Sequence, residues 1–101
     1  MAYFAIMWTE LLRRERIVYP DGSVVEVVVW RVPRPVPPTS HGFKYRLAYI
    51  VDGKRVLGYD NERGKGDHRH FGGREEAFAF TTIDALMVRF IKEIEAMRRR
   101  P

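Results

Sequence analysis

Residues 58–73, GYDNERGKGDHRHFGG, hold most of the side chains of this 101-residue chain that could do chemistry. The stretch carries two of the three histidines, His68 and His70, together with Asp60 and Asp67. In an extended segment His68 and His70 point to one side and Arg69 to the other. A histidine titrates near neutrality and can move a proton, and a neighbouring cation can stabilise charge developing on a phosphate. His68 or His70 with Arg69, Lys65 or Arg63 meets that requirement, and Asp60 could hold one imidazole in a single tautomer. RNA is a substrate that such a set could cleave without a cofactor, because the 2′-hydroxyl is itself the nucleophile. Tyr59, Asn61 and Asp67 lie among these groups and are expected to contact substrate with Lys65 and Arg63.

Two other readings of the same residues stay open. Two histidines on one face with a carboxylate could bind a divalent cation, although this spacing is far less specific than His-Glu-x-x-His and no cysteine can supply a thiolate. Asp, Asn and Gly also gather wherever turns are tight, and the stretch holds five of the chain's eight glycines. It could therefore be an ordinary polar loop. Gly64-Lys65-Gly66 lacks the GxxxxGK[ST] spacing of a triphosphate-binding loop. Glu75 and Glu76 read as a solvated turn, Trp8 and Trp30 as core or interface, and His41 as a loop residue.

Composition narrows the setting. A chain of this length holds one domain and one core, and 46% hydrophobic content is ample to build it. There is no apolar run near 18 residues, hence no membrane span to expect. The opening MAYFAIMWTELL has neither a basic flank nor a small-residue cleavage site, so it reads poorly as a secretory signal, and a cytoplasmic protein fits best. The net charge is +5, yet within 58–73 three bases offset three acids. The surplus lies in Arg13, Arg14, Arg16, Arg31, Arg34 and the tail Arg98–Arg100, where it suits nucleic acid or an acidic protein equally.

The elements that must position these residues follow from turn chemistry and periodicity. Residues 1–9 form an N-terminal extension, and residues 10–60 form two hairpins. Pro20 and Gly22 suit a turn that pairs Tyr19 with Ser23, Val18 with Val24 and Arg16 with Glu26. The Val-rich strand over 24–32 belongs inside the sheet. The four prolines of 33–42 predict a stiff crossing loop. Asp52-Gly53 predicts a second hairpin, with Val51 opposite Lys54, Tyr49 opposite Val56 and Arg46 opposite Tyr59. Residues 58–73 then form a polar Gly/His loop, and 77–80 a short extended segment. Thr81 with Asp84 resembles a capping box for a helix over 82–99, whose Ile83, Leu86, Met87, Phe90, Ile91, Ile94 and Met97 step by three and four. The expected fold is α+β: an antiparallel sheet of about four to five strands packed by one C-terminal amphipathic helix.

The run PDGSVVEVVVWRVPRPVPPTSHGFKYRLAYI, followed by YDNERGKGDHRHFGGREE and a closing amphipathic helix, resembles the TumE family of small toxins across roughly residues 10–97. The resemblance implies the toxin half of a type II toxin–antitoxin module, growth inhibition through RNA, and a helix-turn-helix antitoxin as partner; a homodimer is a further option. Within that setting, the side-chain chemistry of residues 58–73 points to a small, metal-independent ribonuclease. The alternative is a non-catalytic module that binds RNA or protein under the control of such a partner.

Overall fold

The computed structural model describes residues 8–100. Six strands follow one another and each pairs antiparallel with the next: β1 (Glu10–Val18), β2 (Val24–Arg31), β3 (Phe43–Val51), β4 (Lys54–Glu62), β5 (Gly66–Phe71) and β6 (Arg74–Ala77). A single helix, α1 (Ile83–Arg98), closes the chain and covers one face of the sheet. The architecture is α+β as expected, but with two more strands than the two hairpins supply. β5 comes from the stretch expected to be a loop, and β6 from the residues just after it, where Glu75 and Glu76 read as a turn. The chain reverses at Glu62–Gly66, where Gly64 and Gly66 adopt φ +87° and +79°, so β4 runs on through Glu62 and β5 returns beside it. Gly72-Gly73, both at positive φ, make the last reversal, into β6. Of the N-terminal extension expected over 1–9, residues 1–7 lie outside the described residues. No helix of the described residues is long and apolar enough to cross a membrane.

The first hairpin has the expected register, with Val18 opposite Val24 and Arg16 opposite Glu26. In the second, Asp52 and Gly53 both take positive φ, as a two-residue hairpin turn demands. Val51 does face Lys54, but Ile50 then faces Arg55 and Tyr49 faces Leu57. Val56 is the extra residue of a β-bulge. The expected pairs Tyr49–Val56 and Arg46–Tyr59 therefore give way to Tyr49–Leu57 and Arg46–Asp60. A one-residue slip turns every later side chain to the opposite face. Here it buries Leu57 and Tyr59 under the helix and delivers Asp60 to the uncovered side, which is the more favourable distribution of apolar and charged groups.

Under the helix, Val25, Val27 and Val29 from β2, Tyr45, Leu47 and Tyr49 from β3, and Leu57 and Tyr59 from β4 meet Leu86, Phe90 and Ile94. The helical stripe read from the sequence is thus the core. The helix begins one residue later than expected. Thr82, in extended conformation, is the cap, and its Oγ1 accepts from the Ala85 N–H at 3.0 Å. Asp84 is then the second helical residue, so no capping box with Thr81 forms. The Pro-rich segment 33–42 crosses as irregular chain, and Gly64 donates its N–H to the Pro37 carbonyl, tying the β4–β5 turn to it.

Candidate active site

Alternation along β4 and β5 sorts the polar residues onto two faces. Asp60 pairs with His68, and Gly58 with His70, so these side chains share the uncovered face. Tyr59 pairs with Arg69 and Asn61 with Asp67, and these share the helix-covered face. The two histidines do lie on one side with Arg69 opposite.

On the uncovered face Asp60 is the hub. The residue is 7% exposed, and its carboxylate accepts from Arg55 at 3.3 Å and from His70 Nε2 at 3.3 Å. Because a carboxylate only accepts, His70 carries its proton on Nε2 when neutral, and Nδ1 keeps its lone pair. His68 is fixed the other way round. Its Nδ1 donates to the Gly66 carbonyl at 3.0 Å, leaving Nε2 as the basic nitrogen. Nε2 stands 3.8 Å from Glu75, and Lys65 Nζ stands 3.6 Å from the same carboxylate oxygen. Both histidine side chains are mostly buried yet open onto this face, at 16% and 19% exposure. Arg46 faces Asp60 across β3 and reaches Glu26 at 3.6 Å. The arginines of β1 extend the cationic surface; Arg16 pairs with the same Glu26.

The helix-covered face is structural. Tyr59 and Arg69 both donate to Glu93 of α1, and Arg69 also reaches Glu76 at 3.0 Å. Burial raises the Glu93 carboxyl, but the hydrogen bonds from Arg69 and Tyr59 outweigh it and hold the group below its ordinary value. Burial, and then the Glu93 hydrogen bond, push the Tyr59 hydroxyl up to about 12. Asn61, fully buried, accepts from the Tyr45 N–H at 3.0 Å and donates to the Phe43 carbonyl at 2.7 Å, pairing the end of β3 with a side chain in place of a strand. Asp67 accepts from the Tyr45 hydroxyl at 2.6 Å and from His41 Nε2 at 2.8 Å. Burial and this bond push the Tyr45 hydroxyl well above the ordinary phenol value.

Of the nine residues expected at the site, the structure therefore brings Asp60, His68 and His70 together, with Lys65 at their margin. Arg69, Tyr59, Asn61 and Asp67 stand on the far side of the sheet, each engaged with protein groups. Arg63 is exposed in the β4–β5 turn. Two residues that no sequence signal singled out for the site emerge beside the histidines: Arg55, which the bulge brings to Asp60, and Arg46, placed by strand register. Glu75, read from the sequence as part of a solvated turn, lies instead in β6 and offers its carboxylate to His68. His41 is more than a loop residue: its Nδ1 accepts from the Phe43 N–H at 3.2 Å, its ring packs on Phe80 with centroids 3.9 Å apart, and it clamps the Pro-rich segment to β5. Both ring nitrogens are engaged, so it has no free position for chemistry. Among the described residues no group of three His, Asp or Glu side chains converges to hold a metal ion.

Among the described residues, fold and site define a small antiparallel α+β domain whose one helix leaves the other sheet face bare, with a His–Asp–Arg cluster and a second histidine on that face. The chain matches the family model described as Toxin TumE over residues 9–98 and belongs to the TumE toxin family. Comparison with curated proteins and with solved structures gives no match.

Proposed function

We propose that this toxin acts as a metal-independent ribonuclease through the uncovered face of its sheet. The observation that carries the reading is the complementary tethering of the two imidazoles: His68 presents Nε2 with Nδ1 bonded to Gly66, and His70 presents Nδ1 with Nε2 bonded to Asp60. They sit at alternate positions of one strand, roughly 7 Å apart along it. One lone pair can take the proton of a 2′-hydroxyl as it attacks the adjacent phosphorus. The other imidazole, when protonated, can give a proton to the departing 5′-oxygen. The products are a 2′,3′-cyclic phosphate and a 5′-hydroxyl, and no outside reagent is consumed. Asp60 fixes the orientation of His70 and His68 presents its lone pair from Nε2, an arrangement in which His68 takes the base role and His70 the acid role. Arg55 and Arg46, rather than Arg69, stand where a phosphate would be held, with Lys65 beside His68.

Incubation of a mixed RNA with wild type, His68→Ala and His70→Ala, with and without EDTA, tests this. Cleavage is expected in wild type irrespective of EDTA, ending in cyclic phosphates, and falling about 100-fold or more in each variant. Equal cleavage and equal growth arrest by both variants would remove the histidines from the mechanism. Growth arrest without any RNA cleavage would favour a binding module. A helix-turn-helix antitoxin would neutralise the toxin by covering the bare face or by adding to the β1 edge. Among the described residues β1 has no neighbour beyond β2, and Leu11, Ile17 and Val18 are exposed there, a surface that a second copy could also use.

A further inference from the structure

The uncovered face holds a groove of about 350 Å³ next to the histidines, lined chiefly by Val28, Trp30, Lys44, Arg46, Asp60 and Glu62. Nothing in the acid–base chemistry uses it. We propose that it is a nucleobase subsite, in which a single unpaired base of the RNA strand stacks against Trp30.

Four features point to this. Trp30, on β2, is half-buried beside Val28, so an indole and an aliphatic side chain make one wall of the groove. Such a wall offers a flat apolar surface that any base can cover. The opposite wall is Asp60 itself, and Arg55, bonded to Asp60 at 3.3 Å, also borders the groove. A phosphate held by Arg55 beside His70 therefore has its neighbouring nucleoside over β3, within reach of Trp30. Arg46 rises from the floor at the middle of this path, opposite Asp60 in register, and can meet the intervening phosphate or sugar. At the end Glu62 supplies an exposed carboxylate, an acceptor for a base's exocyclic amine. The volume is at the lower end of the roughly 300–1,000 Å³ of small-ligand sites, enough for one nucleoside. A base stacked and paired inside a duplex could not enter a groove of this kind, so the substrate class is single-stranded or looped RNA.

The inference rests on RNA being the ligand of this face, and its test must separate it from catalysis. The probe is a fluorescent 2′-O-methyl oligoribonucleotide of about ten residues, which keeps bases and phosphates but lacks the nucleophile, so wild type binds without cutting. Anisotropy titrations compare wild type, Trp30→Phe, Trp30→Ala and Lys92→Ala, an exposed position on α1, with melting curves confirming that each is folded. Trp30→Ala is expected to weaken single-strand binding about 10- to 100-fold with an unchanged salt slope, because a stacking contact and no phosphate contact is lost. Trp30→Phe should keep most of the affinity, Lys92→Ala all of it, and a 2′-O-methyl duplex should be insensitive to Trp30. Affinity of Trp30→Ala within about twofold of wild type overturns the subsite, as does a wild type that binds no oligonucleotide and leaves the groove to a protein. If Trp30→Ala binds normally while His70→Ala no longer cleaves, the subsite falls and the ribonuclease stands. If binding depends on Trp30 but no RNA is cut, the subsite stands and the ribonuclease falls.

Discussion

Tyr59 and Asp60 are consecutive in β4 yet serve opposite faces of the sheet. Tyr59 gives its hydroxyl to Glu93 of the helix, while Asp60 holds Arg55 and His70 on the bare side. The division follows from strand alternation, but its sense is set by the bulge at Val56. Polar groups bonded to the helix and polar groups on the bare side are thereby separated by the thickness of one sheet.

Asp60 should be the most sensitive carboxylate for activity. Asp60→Asn keeps the side chain's shape but replaces one acceptor oxygen with a donor, so that Arg55 and His70 cannot both be held. RNA cleavage is expected to drop about 100-fold or more. Leaving one of the two donors without its acceptor in this nearly buried spot should cost about 1–3 kcal/mol in urea melts. An unchanged rate would mean that His70 does not work through Asp60.

Gly58 faces His70 across β4 and β5, and a Cβ placed there would lie 2.8 Å from Arg55 Cδ and 3.1 Å from the Leu47 carbonyl oxygen. The arginine is flexible and can swing away, so Gly58→Ala should lower stability only modestly, by about 1 kcal/mol. Swinging away takes Arg55 off Asp60. Cleavage should therefore fall far more than stability does. Comparing the rate of Gly58→Ala with that of Arg55→Ala checks this, since the two should lose activity to a similar extent.

Glu93 should make stability depend on pH. Its folded pKa is depressed, so the stabilisation from Arg69 and Tyr59 is complete above the ordinary carboxyl value of 4.5 and is lost as pH falls through the lower folded value. Glu93→Gln should be less stable than wild type at pH 7, and the gap should close on acidification below that point. Denaturant melts of both proteins across the acid range measure it; a gap that is constant with pH would show that the Glu93 charge contributes nothing.

Asp67 should prove structural. Asp67→Ala leaves the buried Tyr45 hydroxyl and His41 without their acceptor, at a cost of about 1–3 kcal/mol. It also unclamps the Pro-rich segment, so limited proteolysis should cut faster within residues 33–42. Cleavage of RNA at a temperature where the variant is folded should remain near wild type. A loss of activity matching that of His68→Ala would instead return Asp67 to the chemistry.

Much of this protein was legible from residues alone. Pro20, Gly22 and Asp52-Gly53 name their turns because few residues tolerate those backbone angles, and the apolar period of three and four along 83–97 can only be one buried helical stripe. The common direction of His68 and His70 needs nothing beyond strand alternation. Local chemistry could not decide where alternation is interrupted. Val56 carries no mark of a bulge; it becomes one because the sheet must put Tyr59, not Asp60, beneath Phe90. Nor could it tell a polar loop from a polar hairpin, since glycines at positive φ serve both, and strands β5 and β6 form only because β4 is there to pair with. Which arginine meets Asp60 is likewise a tertiary matter: Arg69 is engaged by Glu93, twenty-four residues away, and the one-residue slip turns Asp60 to the face where Arg55 stands. The sequence determined which chemical groups exist and where the chain can turn, because those depend on neighbours in the chain. Only the packed sheet decided which groups meet, because burial, register and partner choice are settled between segments far apart in it.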